Sequence, residues 1–155
     1  MDMQRSKRGF SLVELLVVIA VIAVIHAVAL PIMRTARLNS VETVVVREVQ
    51  TIGTAQTQYQ SQFGRYAGTL AQLGPPANGA AEGPEAARLI PASLASGEKD
   101  GYLFALTSTP AGFFVNANPK VFGNSGRRTF YLDQDGIVHQ NWGQDPATAA
   151  SPEFK

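Results

Sequence analysis

A chain of 155 residues with 45% hydrophobic side chains and a formal net charge of +1 has room for one domain and an apolar segment beside it. Its charge is too close to neutral to argue for a nucleic-acid partner. The absence of cysteine excludes a disulfide, a Cys-based zinc site and a lipidated-cysteine anchor.

The chain opens on a basic head, Arg5, Lys7 and Arg8, which with Asp2 leaves a net charge of −1 from Phe10 onward. Leu12 to Met33 is then an apolar run with two strongly polar side chains, Glu14 and His26. At ~1.5 Å rise per residue the run spans ~33 Å as a helix, about one hydrocarbon core. The positive-inside rule puts the head in the cytoplasm, against the smaller pull of Arg34 and Arg37 beyond the run. A cleaved secretory signal is the competing reading, because Ala27-Val28-Ala29 has the form of a cleavage site. Glu14 interrupts the run near its start, and the run is long for a signal, so a membrane anchor is favoured.

Glu14 is the anomaly of the segment. A carboxylate at the bilayer centre costs ~2.5–3.5 kcal/mol, and less near the interface. In the first helical turn the dipole favours it, and the side chain can snorkel to the headgroups. It can also pair with a specific cation. Cleavage after Gly9 would create an amine on Phe10, one helical turn from Glu14, within reach inside a chain or between chains.

The stretch Lys7-Arg8-Gly9-Phe10-Ser11-Leu12-Val13-Glu14-Leu15 resembles the processing site of type IV pilins and type II secretion pseudopilins. The resemblance covers residues 5 to 33 and includes Pro31, where many pilins carry a helix-kinking proline. Ala23, where glycine is common, and His26, where a small residue is usual, depart from the pattern, as does the lack of a C-terminal disulfide. The resemblance implies cleavage after Gly9 by a prepilin peptidase, N-methylation of Phe10, and a role for Glu14 in assembly. It also implies an assembly ATPase with its inner-membrane platform as partners, and self or sister pilins as neighbours in a filament. The chain would wait as a single-pass inner-membrane prepilin, its soluble domain outside the cytoplasm, and end in a cell-surface or periplasmic filament.

Beyond Pro31 the helical period persists through Leu38, Val41, Val45, Val49, Ile52, Gln56, Tyr59 and Phe63, with only Gln56 breaking the apolar stripe. Gly53 weakens this helix by ~1 kcal/mol relative to Ala, and Phe63-Gly64 supplies its end. The prediction is one helix over about 11–63, kinked near Pro31, its second half covered by a sheet.

Residues 64–101 read as a connecting αβ-loop. Within it Arg65 to Leu73 suggests a short turn of helix, and Pro84 to Ile90 a second one opened by proline and stopped by Pro91. Four strands follow, at Tyr102–Leu106, Phe113–Ala117, Thr129–Leu132 and Ile137–Gln140. Thr109 to Gly112 and Asp133-Gln134-Asp135-Gly136 carry turn chemistry. Short connections make the sheet antiparallel. Residues 143–155 show no periodicity and read as a loose tail. The expected fold is therefore α+β: a long N-terminal helix on a four-stranded antiparallel sheet, the pilin fold of the resemblance. The expected divisions are a leader 1–9, a membrane half 10–33 and an amphipathic half 34–63, then the loop, the sheet at 102–142 and the tail.

Little in the chain reads as catalytic. His139 stands alone on a strand without a zinc, nucleophile-elbow or phosphate-loop motif, and His26 has no partner in reach by sequence. Asp133 and Asp135 resemble the start of an oxygen-ligand loop but lack the further ligands of an EF-hand. They are read as turn residues, with calcium as the minority reading and no other cofactor expected. The expected function is a non-enzymatic structural subunit of a type IV pilus or pilus-like filament. A type II secretion pseudopilin is the alternative within the family, and a monomeric membrane-anchored binding domain the alternative outside it.

Overall fold

The structure, a computed structural model, describes residues 9–77 and 80–155. The basic head at Arg5, Lys7 and Arg8 lies outside these residues. Helix α1 runs from Leu12 to Phe63 and passes Pro31 without a break. The chain falls into two compact units divided after Arg37, and α1 contributes to both.

In the first unit α1 shows no buried face over residues 12–27. Every residue from Leu12 to Ala27 is exposed, although nearly all are Leu, Val, Ile or Ala. A helix that is apolar all round and covered by nothing is built for a solvent other than water.

In the second unit, Leu38–Lys155, α1 is amphipathic. Val45, Val49, Ile52 and Tyr59 are fully buried, whereas Arg47 and Gln50 are exposed. Of the triplet Val44-Val45-Val46 only Val44 faces out, so the helical period overrides the β preference of three valines. Thr43, Thr51 and Thr54 donate their hydroxyls to carbonyls four residues back, which satisfies side chains that otherwise compete with helix formation. Gly53 has a packing reason: a Cβ there would stand 2.7 Å from Leu132 Cδ2 of the sheet. Gly64, at φ 71°, closes the helix, its N–H bonded to Gln60 O at 2.8 Å.

The connection after α1 is tied down rather than loose. Gln56, fully buried, takes both polar groups of Ala67: its Nε2 donates to Ala67 O and its Oε1 accepts from Ala67 N, each at 2.9 Å. The Tyr59 hydroxyl donates to Pro84 O at 2.5 Å. Helix α2, Leu70–Leu73, is capped by Thr69. The helix expected over Pro84–Ile90 does not form. The N–H groups of Ala87, Arg88, Leu89 and Ile90 donate instead to carbonyls of Gln72, Leu73 and Gly74. The unsatisfied carbonyls at the end of α2 thus recruit the donors that a second helix would have used internally. Helix α3, Ala92–Ala95, begins only after Pro91.

The sheet has five antiparallel strands in sequential order, one more than expected: β1 Glu98–Lys99, β2 Tyr102–Thr109, β3 Gly112–Pro119, β4 Arg128–Asp133 and β5 Val138–Trp142. The extra strand is two residues long, below the length at which an alternating pattern is visible in sequence. Tyr102, Phe104, Phe113, Val115, Ala117, Phe130, Leu132 and Val138 line the buried face and form one apolar cluster with the α1 stripe, Leu73, Ile90 and Leu94. The fold is α+β, with the long helix packed on the antiparallel sheet.

The tail expected to be loose is docked. Asn116 and Asn141 amides and the Thr129 hydroxyl donate to carbonyls of Ala147 and Asp145. Gln140 N donates to Pro152 O and Phe154 N to Val138 O, both at 2.8 Å. Phe154 meets the Phe130 ring edge-on at 5.8 Å. Most of these contacts join residues twelve or more apart, and a test of periodicity cannot see them.

Candidate assembly segment and the Glu42 cluster

Gly9, Phe10 and Ser11 precede the helix, and the first α1 hydrogen bond runs from Leu15 N to Ser11 O at 3.1 Å. Phe10 is 77% exposed. Glu14 is the acidic residue of the first turn and is exposed. Among the described residues no hydrogen bond or ion pair engages it. The segment thus presents a glycine outside the helix, an exposed aromatic residue and a carboxylate at the positive end of a helix dipole. An exposed apolar helix surface follows. Such an arrangement can receive a cation at Glu14 and bury α1 against other helices or lipid.

His26 is held locally. Its Nδ1 donates to Ile22 O at 2.8 Å, and because a carbonyl only accepts, this nitrogen carries the proton. His139 Nδ1 likewise donates to Ser151 O at 2.6 Å and fastens the tail. Asp133 Oδ1 accepts from Asp135 N at 3.0 Å, Asp133 O accepts from Gly136 N at 3.1 Å, and Gly136 sits at φ 76°. Asp133 Oδ2 also accepts the Tyr131 hydroxyl at 3.2 Å. Burial first, and then the Asp133 charge, hold the Tyr131 phenol above its ordinary pKa. Among the described residues no group of three or more His, Cys, Asp or Glu side chains is placed to share a metal ion.

The most connected polar site is one that sequence reasoning passed over. Glu42 on α1 has 0% exposure. Its Oε1 accepts Arg127 N, and its Oε2 accepts Arg128 Nε and Nη2, each at 2.7 Å. Arg128 opens β4, donates its Nη1 to Gln140 Oε1 at 2.9 Å, and lies over the rings of Trp142 and Phe154 at 4.7 and 5.2 Å. The neighbouring Tyr102 hydroxyl donates to Arg128 O at 2.9 Å. Burial raises the Tyr102 pKa well above the ordinary tyrosine range, and the Glu42 charge adds to the rise. A Cβ at Gly126 would collide with this hydroxyl. The signal for Glu42 was available: it lies four residues after Leu38 and three before Val45, on the stripe that apart from Gln56 is filled by apolar residues.

Residues 4–30 match a family model described as the prokaryotic N-terminal methylation motif. The type IV wide pilus major component PilA4 of Thermus thermophilus is 38% identical over 69 residues, 44% of this chain and 53% of that protein. The chain carries a match to the prokaryotic N-terminal methylation motif over residues 4–30 and is similar in part to a type IV pilin. It spans about half the length of the curated pilin relative it matches. No solved structure matches it.

Proposed function

We propose that this chain is a structural subunit of a type IV pilus or pilus-like filament. The observation that carries the reading is the uncovered apolar first half of α1, headed by Gly9, Phe10 and the unpartnered Glu14. The chain is held in the inner membrane by α1, with the sheet unit outside the cytoplasm. A prepilin peptidase cleaves after Gly9 and the new Phe10 amine is methylated, which keeps its charge. Glu14 of an incoming subunit then pairs with the Phe10 amine of its neighbour, offsetting the cost of a carboxylate in lipid. The α1 helices pack into the filament core through heterologous contacts, which propagate when the rotation does not close. An assembly ATPase and its membrane platform drive extraction from the bilayer. The partial similarity to the wide pilus component of Thermus thermophilus favours a pilus over a secretion pseudopilus.

Intact mass of the cell-derived protein, with shearing of filaments from cells, tests this. The expected species begins at Phe10 with one added methyl group and is found in the sheared fraction. A species beginning at Met1 or Leu30 would overturn the processing. Glu14→Ala is expected to insert and be cleaved normally, or insert more readily, yet give no filaments. Normal filament yield from this variant would remove the pairing role.

A further inference from the structure

Trp142, the single tryptophan of the chain, ends β5 with 63% of its surface exposed. Arg127 lies 5.9 Å from the centre of its ring and Arg128 4.7 Å. The two arginines are not equivalent. The Arg128 charge is matched by Glu42, whereas among the described residues no carboxylate pairs with Arg127, whose Nη2 donates to the neutral Asn39 Oδ1 at 2.8 Å. An uncompensated guanidinium therefore stands beside an exposed indole, at the point where α1 enters the sheet unit.

The covalent chain says what is near this corner. Asn39 follows Met33, the last residue of the apolar run, by six positions, and six residues reach at most about 22 Å even fully extended. While the apolar run is in a bilayer, the Arg127–Trp142 corner is therefore tethered within reach of the headgroups. An indole prefers that interface, and a guanidinium attracts phosphate by its charge, although Arg127 Nε is itself buried. Two tail acids, Asp145 and Glu153, flank β5 and temper the attraction.

We propose that the Trp142–Arg127 corner is a headgroup-docking surface that rests the unassembled sheet unit on anionic phospholipid of the membrane anchoring α1. The proposal rests on the membrane-anchored reading above. Trp142 leaves the bilayer surface when the subunit is withdrawn into a filament, so its environment reports the unassembled pool.

The full chain, reconstituted into vesicles of phosphatidylcholine alone or mixed with phosphatidylglycerol, tests this through Trp142 fluorescence. With phosphatidylglycerol the emission is expected to shift to the blue, to resist acrylamide and to be quenched by brominated lipid. High salt should reverse all three changes. Arg127→Gln should lower the docked-to-undocked ratio about fivefold, the worth of one basic residue near an anionic surface. Arg127→Lys should keep the lipid response, which separates charge from a packing role. Equal acrylamide access in both vesicles would overturn the proposal. So would protection that follows protein density rather than lipid charge, since that would put a second copy on this corner. Flotation after an alkaline wash separates the two readings: a chain that fails to float defeats the anchor itself, and one that floats with Trp142 exposed defeats only the docking.

Discussion

Glu42 and Arg128 make the largest single-residue commitment in the sheet unit. A fully buried carboxylate is tolerable only while both of its oxygens are hydrogen-bonded, and here the three donors come from the consecutive residues Arg127 and Arg128 at the start of β4. Glu42→Ala should destabilise the unit by ~3–5 kcal/mol, because Arg128 is left buried and unpaired. The double change Glu42→Leu with Arg128→Leu should cost less than either single change. Thermal melts in detergent check this, and additive losses would show that the two charges are not coupled. Gln56 illustrates the same principle without charge. It breaks an apolar stripe in sequence, but its amide completes both hydrogen bonds of Ala67, so the break marks where the connection is fastened.

At the scale of elements, the α1 stripe and the β4–β5 turn make separate claims. Val45 is buried and Arg47 exposed on the same helix. Val45→Asp should cost several kcal/mol by burying an unpaired charge, and Arg47→Asp should be nearly neutral. Equal losses in melting temperature would mean the buried face is misassigned. In the turn, Gly136 holds a positive φ and Asp133 supplies the local hydrogen bonds. Gly136→Val should therefore cost more than Asp135→Asn, because Asn tolerates the same turn. If calcium binds there, the order reverses when calcium is present, since a lost carboxylate weakens a hard-cation site. Melts with excess calcium and with chelator decide between them. Long-period features were legible in the sequence: the helix, its end at Gly64, and four strands marked by alternation and turn residues. What was not legible depended on pairing across the chain. The donors of Ala87 to Ile90 go to α2, β1 exists only against β2, and the tail exists as structure only because β5 offers an open edge.

For the molecule as a whole, the raised tyrosine pKa values lead to an expected alkaline limit of the sheet unit. Burial, and then the Glu42 charge, raise the Tyr102 pKa in the folded state. The folded state thus holds the phenolic proton more tightly than the unfolded chain, whose value is about 10. The sign follows from linkage: this stabilisation is complete below about pH 10 and is lost as pH rises from there toward the folded value. Tyr131 acts in the same direction. Melting temperature should fall above about pH 10. Tyr102→Phe should flatten that fall at a cost of about 1 kcal/mol for the lost hydrogen bond. An unchanged alkaline slope in this variant would place the limiting group elsewhere.

The docked tail has a consequence for a protein proposed to polymerise. A sheet with a free edge can add a strand from any neighbour, which is the route to amyloid. Here the outer edge of β5 is occupied by Pro152 and Phe154 of its own chain. At the opposite edge β1 adds two charged residues, with Lys99 paired to Glu48 and Glu98 to Lys120, and covers β2 only at Tyr102 and Leu103. In a membrane pool of the proposed subunits, the docked tail would close the β5 edge to a neighbour's strand, and growth through that edge would give way to packing of the helices.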